Sequence, residues 1–106
     1  MMDNYELVQK GFRILHPLMA SYIGQEFYRV YGDNWWKEVL ETLSDQYDLP
    51  KTGDYQVLVD SLDVMNCLRL FDRRWAEVFR AKLSQEFRIW SRELVGVRNR
   101  AAHIGN

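Results

Sequence analysis

The sequence predicts an all-α protein, a bundle of four to five helices. Of its 106 residues, 47% are hydrophobic and 14% aromatic, enough to bury one small core. Only two prolines and six glycines interrupt the chain, and apolar residues recur at intervals of three or four. We therefore interpret residues 1–106 as a single helical domain.

The first half predicts two long helical segments and a short one. Residues 5–30 follow a helical period, but Pro17 removes a backbone hydrogen bond, so we expect a kink or break there. Gly32 is expected to end the second segment as a C′ glycine. The next helix carries Trp35 and Trp36, which are adjacent and cannot both face one side. One of them is therefore free to cover an interface.

The second half predicts a loop and further helices. Residues 44–54 form the loop, and a helical pattern continues over 57–71, although 55–59 could be extended. A bend is expected near Asp72. Ser84 is predicted to cap the last helix, whose apolar stripe consists of Phe87, Trp90, Leu94 and Val97.

The net charge of −1 conceals an asymmetry between the two halves. Residues 1–63 hold five Lys or Arg against eleven Asp or Glu, whereas residues 64–106 hold nine against four. The basic half can bind an anionic partner or dock on an acidic half, in the same chain or in a second copy, and the charges favour docking. The basic half includes four arginines that could bind nucleic acid: Arg69, Arg73, Arg88 and Arg92. Arg69 and Arg73 are four residues apart, as are Arg88 and Arg92, so the two positive charges of each pair repel each other. A nearby acid such as Asp72 or Glu93, or a bound polyanion, could offset this repulsion.

Several classes of function lack support in the sequence. There is no Gly-rich phosphate loop and no metal-ligand spacing, so we expect neither a cofactor nor a metal. No apolar run is long enough to cross a membrane, and the one cysteine, Cys67, fits a reducing cytoplasm. Cys67 has no matched histidine motif, which argues against a nucleophile. His16 has no charged neighbour and is interpreted as structural.

The residues near the end of the chain combine the side chains needed to cleave RNA. A guanidinium such as Arg98 binds phosphate, and an imidazole such as His103 transfers protons near neutral pH. The alternative is a basic helix terminus that interacts with the helix dipole. In a regular helix positions 98 and 103 are about 140° apart. They converge only if the helix frays or bends near Asn99, or if one group comes from another subunit.

Three segments resemble one family in the same order: YGDNWW at 31–36, WAEVFR at 75–80 and ELVGVRNRAAH at 93–103. They are similar to a HEPN superfamily domain, of the subtype found beside PIN-type endonucleases in mRNA surveillance proteins and in bacterial defence ATPases and helicases. The resemblance implies a dimer with Arg98, Asn99 and His103 as catalytic residues in a shared cleft. Glu93 and Arg100 would support them. Ala101 departs from the bulky aromatic that this subtype often has.

We therefore expect an endoribonuclease domain that cleaves RNA as a homodimer without a metal. It would be a fragment of a longer cytoplasmic defence or RNA-processing protein with an attached ATPase or nuclease, and would lack its last helix. Two alternatives remain open. One is a non-catalytic dimerisation or interaction module, and the other is a nucleic-acid-binding adaptor that uses the four arginines.

Overall fold

Five α-helices pack around one core in the computed structural model. The structure describes residues 4–104, except for the side chains at positions 4, 5, 8, 9, 12, 98 and 101–104. Over this range there is no β-strand, and the predicted all-α fold is confirmed. None of the described helices has the length and apolar character needed to cross a lipid bilayer. The helices are α1 (Asn4–Tyr31), α2 (Trp35–Thr42), α3 (Tyr55–Asp60), α4 (Val64–Arg73) and α5 (Gln85–Ile104).

Helix α1 is one continuous helix, so of the kink or break predicted at Pro17 the break does not occur. Pro17 is exposed, and water can therefore bind the backbone carbonyl that loses its helical partner. Beyond the proline, α1 buries Met19, Ile23 and Phe27 in the core. The helix ends as predicted at Gly32, whose φ of 61° is a left-handed conformation that glycine adopts without strain.

Both tryptophans of α2 are buried, so the expectation that one covers an interface is wrong. Trp35 and Trp36 are 5% and 6% exposed. Trp35 packs on Tyr55 with ring centroids 5.2 Å apart, and Trp36 Nε1 donates a 2.8 Å hydrogen bond to the Pro50 carbonyl. Helix α3 thus packs on the Trp35 indole, and the predicted loop after α2 folds back to the Trp36 indole.

Helices α3 and α4 are separate, because the chain turns at residues 61–63. Residues 55–59 are helical and not extended. The Asp63 carboxylate accepts a 2.7 Å hydrogen bond from the Asn66 amide and caps α4. His16 Nε2 bonds to the Leu62 carbonyl, which ties α1 to this turn. This contact agrees with the structural role predicted for His16.

Aromatic side chains from α1, α4 and the following segment form the centre of the core. Phe27, Phe71 and Phe79 are at most 1% exposed. The ring centroid of Phe79 lies 4.8 Å from that of Phe71 and 6.0 Å from that of Phe27. Phe79 belongs to a π-helical turn at Trp75–Phe79, closed by a 2.8 Å hydrogen bond from the Arg80 amide to the Trp75 carbonyl. The bend predicted near Asp72 therefore begins just after α4.

Arg74, between α4 and the π turn, binds side chains from three segments. Its guanidinium donates to Tyr31 Oη at 3.0 Å, to Thr42 Oγ1 at 2.6 Å and to Glu77 Oε2 at 2.8 Å. It also lies 3.1 Å from Glu38 Oε2. Burial, together with the hydrogen bond to Glu77, raises the pKa of Tyr31 to about 12. Arg74 thus joins the end of α1 and helix α2 to the π turn that precedes α5.

One face of the N-terminal part of α1 is apolar and exposed. Leu7, Ile14 and Leu18 are 54%, 61% and 67% exposed. Their spacings of seven and four place them on one side of the helix. A stripe of large apolar side chains in water is typical of a surface that binds another protein.

Two glycines of α1 provide a matched test of the packing between α1 and α3. A Cβ at Gly24 would lie 2.8 Å from Val59 Cγ2 and 2.9 Å from Tyr55 Oη, whereas none of the described atoms lies within 4 Å of a Cβ at Gly11. We expect Gly24→Ala to lower the free energy of unfolding by about 1–3 kcal/mol because α3 must move. Gly11→Ala should raise it by about 0.5–1 kcal/mol. Urea denaturation measures both, and equal effects would contradict this packing.

Candidate functional site

Helix α5, which carries the Arg98–His103 pattern, begins at the predicted cap. Ser84 Oγ accepts a 3.3 Å hydrogen bond from the Phe87 amide. The Phe87 ring then packs edge-on against Phe71, with centroids 4.9 Å apart, and stacks on Trp75 at 6.5 Å. These contacts set the position of the first turn of α5 relative to α4.

The face of α5 that packs on the core differs slightly from the predicted stripe. Phe87 and Leu94 contact the core as expected, but Trp90 is 39% exposed and Ser91 is completely buried. The Ser91 hydroxyl is satisfied by a 2.9 Å hydrogen bond to the Arg88 carbonyl of its own helix. A small residue at position 91 lets α5 approach closely, and Trp90 is left at the edge of the interface.

The backbone of α5 is helical without interruption to Ile104, so the helix does not fray near Asn99. Positions 98 and 103 therefore lie about 140° apart around the helix axis. The side chains of Arg98 and His103 are outside the described residues. Among the other candidates Glu93, Asn99 and Arg100 are exposed. A fray of the helix is thus not the route by which Arg98 and His103 could converge.

The four arginines predicted to bind nucleic acid, Arg69, Arg73, Arg88 and Arg92, lie on α4 and α5. Asp72 Oδ1 is 3.4 Å from Arg88 Nε and 2.7 Å from Arg92 Nε. Asp72 therefore offsets the repulsion between these two arginines, as predicted. Arg88 also lies over the Trp75 ring, 5.9 Å from its centroid.

Arg73 binds the loop after α2. Its Nη1 donates to the Thr42 carbonyl at 3.0 Å and to Asp45 Oδ1 at 3.1 Å. The Arg73–Asp45 and Arg74–Glu38 pairs both join the basic half to the acidic half. Docking within the chain therefore neutralises part of the excess charge of each half. Asp45 was not predicted as a partner, because it is 28 residues away in a loop without a local pattern.

Neither cysteine nor metal chemistry is indicated by the described residues. Cys67 is buried, and this burial raises the pKa of its thiol to about 12, so the thiol is protonated at neutral pH. In the described part of the chain, no three His, Cys, Asp or Glu side chains are grouped closely enough to hold a metal ion.

The sequence over residues 10–106 matches the family described as Swt1-like HEPN. The chain belongs to this family. The match includes α2, the π turn and the whole Arg98–His103 segment, and it confirms the predicted HEPN resemblance. An association with PIN-type endonucleases stays a prediction. No curated protein and no solved structure matches the chain.

The ion pair between Arg73 and Asp45 makes part of the stability of this HEPN domain dependent on pH. The hydrogen bond from Arg73 lowers the pKa of the Asp45 carboxyl, and the charge of Arg69 contributes. A lowered folded-state pKa stabilises the fold above the unfolded pKa, near 4, and this stabilisation is lost as the pH falls through the folded value. We expect Asp45→Asn to flatten the loss of unfolding free energy on acidification below a pH of about 4.

Arg73→Gln is the matched control for this pH dependence. It should flatten the acid limb in part, because the backbone hydrogen bond of Asp45 and the charge of Arg69 still lower the pKa of the carboxyl. In the Asp45→Asn background Arg73→Gln should flatten the acid limb no further, because the titrating carboxyl is already absent. Urea denaturation at a series of pH values measures the three variants. Additive effects of the two substitutions would contradict the pairing.

Proposed function

We propose that this HEPN domain is a metal-independent endoribonuclease that acts as a homodimer. The observation that carries the proposal is the family match, which extends through Arg98, Asn99 and His103. The unbroken helix α5 supports it, because that helix presents this segment at the end of a firmly packed element.

The chemistry of RNA cleavage explains why two chains are needed. Attack by a 2′-hydroxyl requires a base that takes its proton and an acid that protonates the leaving 5′-oxygen. The chain has two histidines, and His16 is bonded to the Leu62 carbonyl in the turn before α4. His103 alone remains for proton transfer, and a two-fold interface supplies two copies of it.

In this mechanism Arg98 and its symmetry mate stabilise the additional negative charge on the phosphorane. The separation of about 140° between positions 98 and 103 also favours a composite site, since the two positions of one chain lie on different sides of the α5 backbone. Asn99 would bind the phosphate or orient a neighbouring group. Glu93 would support the motif from the preceding turn, and Arg100 from within it.

The domain would work within a longer RNA-processing or defence protein of the cytoplasm. An attached ATPase or nuclease would control it, because an unregulated ribonuclease is toxic to the cell that makes it. RNA is thus the proposed substrate, and a second copy of the domain is the proposed partner.

A non-catalytic interaction module is the second candidate, and one observation favours it. The stripe of Leu7, Ile14 and Leu18 on α1 is exposed and could bind another protein without any role for His103. The two candidates make opposite predictions for RNA cleavage.

We expect the purified domain to cleave RNA in excess EDTA and to leave DNA of the same sequence intact, because DNA lacks the nucleophile. The products should carry a 2′,3′-cyclic phosphate, which mass spectrometry identifies. His103→Ala should abolish cleavage, since acid–base catalysis contributes about 10²–10⁴-fold to such a reaction. His16→Gln is the matched control and should retain it.

Products with a 5′-phosphate, or a strict requirement for magnesium, would contradict the mechanism. Equal cleavage by the wild type and His103→Ala would mean a contaminating nuclease. No cleavage by either, with the domain folded and dimeric, would favour the interaction module.

A further inference from the structure

A groove with a basic rim lies between α4 and α5. Its volume is about 210 Å³, and it is lined by Leu68, Arg69, Asp72, Arg73, Arg92 and Val95. Leu68 is buried and Val95 half-buried, so these two apolar side chains form its floor. The three arginines reach it from both helices, and we call it the arginine groove.

The charges around the arginine groove do not balance within the described part of the chain. Asp72 pairs with Arg92 and Arg88, and Asp45 pairs with Arg73. Arg69 is half-buried and makes no ion pair or hydrogen bond with any of the described residues. Four guanidinium groups thus share two carboxylates, which leaves an excess positive charge beside an open cavity.

The groove is aligned with the catalytic end of α5. Positions 99 and 103 follow position 92 by seven and eleven residues, which places both within about 20° of it around the helix axis. Position 103 is about 16 Å further along this axis. A chain that crosses Arg92 and continues along this face passes Asn99 and reaches position 103.

We infer that the arginine groove binds backbone phosphates of the single-stranded RNA whose cleavage is proposed above, upstream or downstream of the scissile bond. The inference rests on the proposed function for the identity of the polymer. A linear polyanion fits better than an isolated phosphate, because the basic groups lie along one helix face. Guanidinium groups donate paired hydrogen bonds to phosphate oxygens.

Asp72 has a distinct role in this site. Its carboxylate occupies the position between Arg88 and Arg92 where a phosphate would otherwise receive their hydrogen bonds. It acts as an internal counter-ion that RNA must displace, and so it weakens binding in the groove. Removing its charge should therefore strengthen binding.

The test is fluorescence anisotropy with a labelled single-stranded DNA oligonucleotide in EDTA, over a series of KCl concentrations. This probe has the phosphates but not the 2′-hydroxyl, so binding is measured without cleavage. Arg69→Gln should weaken binding at least about threefold and reduce the slope of log K against log salt by about 0.7. Asp72→Asn should tighten binding about two- to fivefold.

Arg80→Gln is the matched control, because Arg80 is exposed, has the same charge and does not line the groove. It should leave the salt slope unchanged. Arg69 is preferred to Arg73 for the test because Arg73 also binds Thr42 and Asp45. Thermal melting followed by circular dichroism checks that both Asp72→Asn and Arg69→Gln are folded.

The inference is overturned if Arg69→Gln and Arg80→Gln behave alike, or if the wild type does not bind the oligonucleotide. Binding that depends on Arg69, from a domain that never cleaves RNA, would support the groove and refute the proposed nuclease. Cleavage of RNA by a domain whose binding does not depend on Arg69 would support the proposed nuclease and refute the groove. The two proposals therefore fail separately.

Discussion

The hydrogen-bonded network of Arg74 is the constraint on which the position of α5 depends. Its guanidinium joins Tyr31 at the end of α1, Glu38 and Thr42 on α2, and Glu77 in the π turn. Hydrogen bonds to a charged group contribute about 1.5–3 kcal/mol where they are shielded from water, and less at the Glu77 carboxylate, which is 58% exposed. The π turn connects α4 to the loop that precedes α5. By binding this turn, Arg74 therefore determines where α5 starts. The aromatic contacts of Phe87 then determine its direction.

The elements with a local signal could be predicted from the sequence, and those that depend on distant contacts could not. Gly32 and Ser84 act through their own backbone neighbours, so their roles as a C′ glycine and a cap were foreseen. The break that is one of the two outcomes predicted at Pro17 does not occur, because that turn is exposed and water can replace the lost hydrogen bond. Burial of both Trp35 and Trp36 depends on α3 and on the loop carbonyl of Pro50, contacts that no local pattern encodes.

The same distinction applies to the candidate site. The motif and the four arginines were visible as residue types at a given spacing, and Asp72 was foreseen as a counter-ion because it is close in sequence. The groove itself was not predicted, since its floor joins Leu68 of α4 to Val95 of α5. The burial of Ser91 beside the exposed Trp90 was not predicted either. The sequence also left open whether α5 frays near Asn99, and the continuous helix to Ile104 answers that question.

The central claim is that two chains each supply one His103 to a single reaction, and mixing of chains tests it most directly. Wild-type and His103→Ala domains are mixed in equal amounts, allowed to exchange subunits, and assayed on RNA in EDTA at constant total protein. If both histidines are required, only wild-type pairs are active, and random pairing leaves about one quarter of the wild-type rate. A rate of about one half would show that each chain works independently, and would contradict the account.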